Sequence, residues 1–305
     1  MKIAHLSDLH VLGAEPEPWS AYANKRFTGW ANLKLRRHAT HKHDVVESLC
    51  REVARQSPDH VVITGDFSNL AFEGELVRAR DMLQRELGMS PRDVSVVPGN
   101  HDLYTGGSAR SRRFVGVFAD YMTSDLPDVA AAHASGPFPF VRLRDEVAII
   151  GLSSATPRPP MIASGTVGRP QREALARVLG REELRGRLPL VLVHHPPHNP
   201  ASPLRTATNG LYDAAAMRTV LQQAARTVVL HGHLHQRIAG ELGGGLRSIG
   251  ATSASLLHED DDRRAGFNVY EVEGGALVKE HAIVLDVATG KFHERAIPTL
   301  SSLSG

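Results

Sequence analysis

Five short apolar runs in this chain each stop at a cluster of Asp, Asn or His, and this constrains the fold more than any other feature. Residues 2–6 lead into Asp8-Leu9-His10, and His60-Val61-Val62-Ile63-Thr64 leads into Gly65-Asp66. Val94-Ser95-Val96-Val97 leads into Pro98-Gly99-Asn100-His101-Asp102. Leu188-Pro189-Leu190-Val191-Leu192-Val193 leads into His194-His195-Pro196, and Thr227-Val228-Val229-Leu230 into His231-Gly232-His233-Leu234-His235. Short apolar runs bounded by turn residues read as buried strands. The metal-ligating residue types therefore stand where strands end and loops begin.

Between the strands lie helical patterns. Residues 44–56 read as a helix with Asp44 as N-cap and Val45, Val46, Leu49 and Val53 on one face. Residues 73–87 read as a second helix, 170–180 as a third with Pro170 in its first turn, and 213–225 as a fourth capped by Asp213. Strand–helix alternation predicts a layered α/β fold. Beyond residue 237 the runs are β-type and split by glycines, which predicts a second sheet layer within a single domain spanning 1–305. Gly106-Gly107-Ser108 reads as a flexible loop, followed by a helix from Arg110 to Met122 whose arginines are mainly solvated. The run 259–262 with Arg263-Arg264 reads as an exposed loop, since it lacks the spacing and glycine of an EF-hand.

Residues 13–43 form a basic, cap-like insertion. Lys25, Arg26, Lys34, Arg36, Arg37 and Lys42 alternate with Phe27, Trp30, Leu33 and Leu35, with no acidic residue between Glu17 and Asp44. It reads as a solvated cap, or as a lid toward an anionic, partly apolar substrate or a membrane surface. Trp30, Arg36 and Arg37 are its candidate substrate contacts. The whole chain carries a formal charge of only +2, too small to argue for a nucleic-acid partner, and only 25–43 and Arg110–Arg113 offer a basic track, so such a partner is not expected. Cys50 is the lone cysteine, so no intrachain disulfide forms. The N-terminus lacks an apolar signal region, and no apolar run approaches the ~18 residues a membrane span needs. The expected location is the cytoplasm, with the insertion able to touch the inner membrane face.

The clusters predict a two-metal centre. Asp66, isolated after a strand and a glycine, is the natural bridging carboxylate. Asp8, His10 and His235 complete one ion, and Asn100, His194 and His233 the other. Asp8 and His10 are expected to share a side, as i and i+2 do in an extended chain. These N and O donors without thiolate suit Mn²⁺, Fe, Zn²⁺ or Co²⁺. Two such ions about 3.5–4 Å apart polarise a phosphate, generate hydroxide near neutral pH and offset charge on the leaving oxygen. His101 is then available to the substrate phosphate as donor or general acid. Asp102 is assigned to orienting an imidazole. His195 should point away from His194, a structural residue or a weak substrate contact.

These motifs, in this order, resemble the calcineurin-like metallophosphoesterase superfamily: Asp-x-His, Gly-Asp, Gly-Asn-His-Asp, a His before Pro, and Gly-His-x-His. The resemblance covers residues 8–235. It implies a four-layer α/β/β/α sandwich of two mixed sheets, a dinuclear site at strand C-terminal ends, and His194 rather than His195 as ligand. Asp-Leu-His and His-His-Pro-Pro look like the class III cyclic nucleotide phosphodiesterase group, which implies a small phosphodiester substrate. The segment 25–37 looks instead like the branch that cleaves the pyrophosphate of UDP-2,3-diacylglucosamine in lipid A synthesis. A nuclease and a metal-stabilised binding module are the remaining readings. No oligomeric state follows from the sequence.

Overall fold

The computed structural model describes residues 1–15, 17–23, 25–27, 29, 42–133, 136–200 and 202–300. In chain order the first half runs β1 (Lys2–Leu6), α1 (His43–Arg55), β2 (His60–Ile63), α2 (Glu73–Leu87), β3 (Val94–Val96), α3 (Gly106–Arg110) and α4 (Arg113–Phe118). It continues through β4 (Ala131–His133), β5 (Gly136–Phe138), β6 (Phe140–Leu143), β7 (Val147–Gly151) and α5 (Arg169–Leu179). Then come β8 (Leu188–Leu192), α6 (Pro203–Asn209), α7 (Ala214–Leu221), β9 (Val228–His231), β10 (Ile238–Glu241) and β11 (Arg247–Gly250). The chain closes with β12 (Gly266–Glu273), β13 (Ala276–Leu285), β14 (Phe292–Arg295) and β15 (Thr299–Leu300).

One large sheet has the order β14-β13-β12-β1-β2-β3 and the other β15-β10-β11-β9-β8-β7-β6, while β4 and β5 pair as a separate antiparallel ribbon. In the first, β1, β2 and β3 are parallel, with Leu6 opposite Ile63 and Ile63 opposite Val96. In the second, β7, β8 and β9 are parallel, with Gly151 opposite Leu192 and Leu192 opposite Leu230. Both registers bring the strand C-terminal ends level, the place where open α/β sheets bind ligands.

Period-two alternation sorts the second sheet into two faces. Val147 and Ile149 of β7, with Leu188, Leu190 and Leu192 of β8, join the core shared with Ile3, Val61 and Val269 of the first sheet. Ala148, Ile150 and Val191 turn the other way, onto Leu175 and Val178 of α5 and Met217 and Leu221 of α7. Helices α1 and α2 cover the first sheet through Val46, Leu49, Leu76 and Leu83. The result is the expected mixed four-layer α/β/β/α arrangement. Each buried aliphatic side chain contributes about 1.5–3 kcal/mol, and a one-residue slip of β8 would exchange its two faces.

Local departures have physical causes. Helix α1 begins one residue before Asp44, with Lys42 in the N-cap position and no side-chain cap; Asp44 lies in the first turn, where its charge suits the helix dipole. The Gly-Gly-Ser stretch is not a loop. Thr105 accepts the Ser108 backbone N–H at 3.1 Å and starts α3 there. The helix expected through Met122 breaks where Arg112 turns left-handed at φ 52°. Among the described residues no helix is long and apolar enough to cross a membrane.

Candidate metal centre

The loops after β1 and β2 stay zipped beyond their strands: Asp8 N–H donates to Gly65 O, and His10 N–H to Asp66 O, both at 2.9 Å. The loops after β8 and β9 do the same, with Gly232 N–H on His194 O at 3.1 Å. The two sheets are tied by the His233 N–H, which donates to Asp8 Oδ2 at 3.1 Å. Such closeness leaves no room for side chains at two motif glycines. A Cβ on Gly99 would stand 2.1 Å from Asp66 Oδ1, and one on Gly232 would stand 2.4 Å from Asp8 Oδ2.

Asp8, His10, Asp66, His233 and His235 all have left-handed backbones, with φ of 54°, 50°, 55°, 66° and 48°. Non-glycine residues in this region cost about 1–3 kcal/mol each. The strain re-aims each side chain into one space. This corrects the expectation that Asp8 and His10 converge by extended i, i+2 spacing, because β1 stops at Leu6 and two left-handed residues do the aiming.

Two donor sets result. His235 Nε2 lies 3.0 Å from Asp8 Oδ1 and 3.3 Å from His10 Nε2, and His10 Nε2 lies 3.9 Å from Asp8 Oδ1. Beside it, His194 Nε2 is 3.4 Å from Asp66 Oδ2 and 3.0 Å from Asn100 Oδ1, while His233 Nδ1 is 3.1 Å from the same Asn100 oxygen. Asp8, His10 and His235 form one potential metal-holding group, and Asp8, Asp66 and His194 another.

The hydrogen bonds on the outer sides of the rings fix what faces inward. His194 Nδ1–H donates to Thr64 O at 2.7 Å, and His233 Nε2–H donates to Asn209 O at 2.8 Å. Metal-ligating imidazoles are held in this way, the second nitrogen on a carbonyl. With those protons outward, the inward nitrogens and the Asn100 oxygen are all acceptors pointing at one another. Acceptors converge like this around a cation. Their separations match the edges of a coordination shell with bonds of about 2.0–2.2 Å. The Asp66 carboxylate also makes the local field negative: burial opposes a charged His194 ring, yet Asp66 beside it lifts the pKa to about 9, so a proton on Nε2 answers this field where no cation stands and would give way to one. Asp66 itself is held well below the usual carboxylate range, against burial, by His194 and His101.

His101 lies outside both groups, at the wall of a cleft of about 860 Å³ that also takes in Asp66, Asn100, His233 and His235. Its Nδ1–H donates to Asn69 O at 2.6 Å, and its backbone N–H donates to Asp66 Oδ1 at 2.8 Å. The ring stacks on Tyr104 at 5.5 Å and meets the edge of His10 at 5.1 Å.

Two assignments need correction. Asp102 does not orient an imidazole: its carboxylate accepts from Ser68 N–H and Ser68 Oγ–H, both at 2.9 Å, and from Gly99 N–H at 2.9 Å. It clamps the loop after β2 to the loop after β3. His195 is no substrate contact: it is fully buried, its Nε2–H donates to Ala163 O at 2.7 Å and its Nδ1 accepts from Ser154 Oγ at 2.8 Å. Of the basic insertion, Arg26 is buried and donates to Leu70 O and Ala71 O, so it is a strut rather than a surface charge. Lys25 Nζ lies 4.2 Å over the Tyr104 ring. Trp30, Arg36 and Arg37 lie outside the described residues.

Sequence reasoning missed Ser7, whose Oγ–H donates to Asp8 Oδ2 at 2.6 Å, and the carbonyls of Thr64, Asn69 and Asn209. A backbone carbonyl leaves no mark on residue type. Ser7, adjacent to Asp8, was the one partner a motif reading could have found.

The sequence matches the family model described as calcineurin-like phosphoesterase over residues 1–237, and the chain belongs to that family. The family's chemistry is metal-dependent phosphoester hydrolysis at a dinuclear centre. Comparison with curated proteins returned no match. Among solved structures, a dimetal phosphatase from Danio rerio is similar at 15% identity and a TM-score of 0.58, covering 97% of this chain and 98% of that one. A purple acid phosphatase from yellow lupin seeds is similar at 11% identity and a TM-score of 0.56, covering 96% of this chain and 52% of that one. A 5'-nucleotidase from Candida albicans is similar at 12% identity and a TM-score of 0.50, covering 94% of this chain and 52% of that one. This chain thus spans about half the length of the last two. At these identities the likeness is one of fold.

Proposed function

We propose that the chain is a phosphodiesterase. Asp8, His10, Asp66 and His235 would hold one metal ion, and Asp66, Asn100, His194 and His233 a second. Bound there, the ions would polarise the phosphoryl oxygens, lower the pKa of a water and offset charge on the leaving oxygen.

The chain's own residues supply the rest. Hydrolysis needs a proton on the leaving oxygen as its bond to phosphorus breaks. His101 is suited to give it: the Asn69 carbonyl keeps Nδ1 protonated, so proton exchange falls to Nε2, and Tyr104 and His10 fix the ring plane. Asn69 also holds the preceding loop, its amide donating to His10 O at 2.8 Å. One residue thus carries both, its side-chain amide holding the His10 backbone and its main-chain carbonyl the His101 ring.

The observation that favours a diester is the cleft. A diester carries a group on each side of phosphorus, and the cleft of about 860 Å³ is lined by His101, His233 and His235 and also by Leu256 and Ile238. It has room for a second substituent. The test compares bis-p-nitrophenyl phosphate with p-nitrophenyl phosphate on Mn²⁺-loaded protein. Faster turnover of the diester is expected, and preference for the monoester would overturn the reading. Cyclic nucleotides, diesters that carry a single charge, serve as the next comparison substrates.

A further inference from the structure

The cleft wall is lopsided in charge. Among the described residues lining it, Asp66 is the one carboxylate, and it belongs to the metal-holding set. Away from the centre the wall carries Arg205 and Arg263 and no acid. The Arg205 guanidinium makes no hydrogen bond or ion pair among the described residues, and Arg263 has a single side-chain partner, Gln236 Oε1 at 3.4 Å. Among the described residues the acidic run 259–262 makes no ion pair with either arginine. Asp261 pairs with Arg264 and Arg295, Asp260 Oδ1 accepts the Asp262 N–H, and none of that run lines the cleft.

The placement is specific. Arg205 and Asn209 are four apart on α6, hence one turn apart on one face, and the Asn209 carbonyl holds His233. Arg263 is bonded to Gln236, the neighbour of His235. Arg205 thus enters the cleft from the helix whose end holds His233, and Arg263 from the loop bonded next to His235. Ile238 and Leu256 form an apolar stretch of the same wall.

We propose that Arg205 and Arg263 bind a second anionic group on the substrate, a phosphoryl or carboxylate group separated from the scissile phosphate by an apolar body. This rests on the phosphoesterase reading of the centre and specifies its substrate class. Guanidinium is suited to the task because its fork pairs with both oxygens of such a group. A diester with no second charge would leave both arginines unanswered.

The test is a binding ratio, read by calorimetry on Mn²⁺-loaded protein with propylphosphonate, propane-1,3-bisphosphonate and 4-phosphonobutyrate. At least one doubly anionic ligand should bind about tenfold or more tighter than propylphosphonate, and which one does so identifies the second group. The R205A/R263A double variant should bring that ratio to near one. The exposed R169A variant, paired with Glu173 away from the cleft, should keep it. Equal binding of all three ligands, or a ratio unchanged in the double variant, would overturn the proposal. Bis-p-nitrophenyl phosphate turnover, run on the same sample, reports separately on the phosphodiesterase reading.

Discussion

His101 Nδ1 and the Asn69 carbonyl are 2.6 Å apart, and this bond decides which ring nitrogen exchanges protons. His101→Ala should retain its metals and lose about 10²–10⁴-fold in kcat. The loss should be greater for a methyl or alkyl leaving group than for p-nitrophenolate, which departs without a proton. Equal losses across leaving groups would remove His101 from proton transfer.

Asp102 is expected to act on stability. Asp102→Ala strands the buried Ser68 and Gly99 N–H groups and adds a small void, at a cost of about 2–4 kcal/mol in urea unfolding. Unchanged stability with lost turnover would restore it to a chemical role.

Glu75 gives a pH dependence away from the centre. Burial pushes its carboxyl from 4.5 up to about 7, against the N–H bonds from Leu70 and Phe72 that oppose the rise. The folded state thus holds this proton more tightly than the unfolded state. That contribution is complete below about pH 4.5 and is lost as pH rises through about 7. Glu75→Gln keeps an oxygen for both N–H groups and removes the titration. Its stability relative to wild type should rise by about 2–3 kcal/mol between pH 4.5 and pH 8. A flat difference across that window would contradict the burial argument.

Metal removal should loosen the junction between the sheets. Ions at a hundredfold excess over their dissociation constant stabilise by about 2.7 kcal/mol. Stripped protein should therefore melt several degrees lower, and Mn²⁺ should restore the loss. Asp66→Asn should show a smaller Mn²⁺-dependent shift than wild type, with Asp8, His10 and His235 still present to hold one ion.

The strand ends and donor residues were legible because both are local: an apolar run, a glycine, then Asp, Asn or His. The way the ligands are aimed was not, since left-handed backbone at Asp8 or His235 has no glycine to announce it. Asp102 misled because it follows Asn100 and His101 closely while its own partner, Ser68, comes from another loop; His195, read as structural or a weak substrate contact, is the former, held by Ser154. Arg205 and Arg263 were invisible as a pair, since the fold alone brings α6 and the loop at 263 to one wall.

The most direct test of the central claim is electron paramagnetic resonance of metal-stripped protein titrated with Mn²⁺, with bound metal counted in parallel. Two ions per chain and an exchange-coupled pair signal that rises with diester turnover are predicted, and both should vanish in Asp66→Asn. One ion per chain, or isolated-ion signals alone at full turnover, would contradict a centre bridged by Asp66.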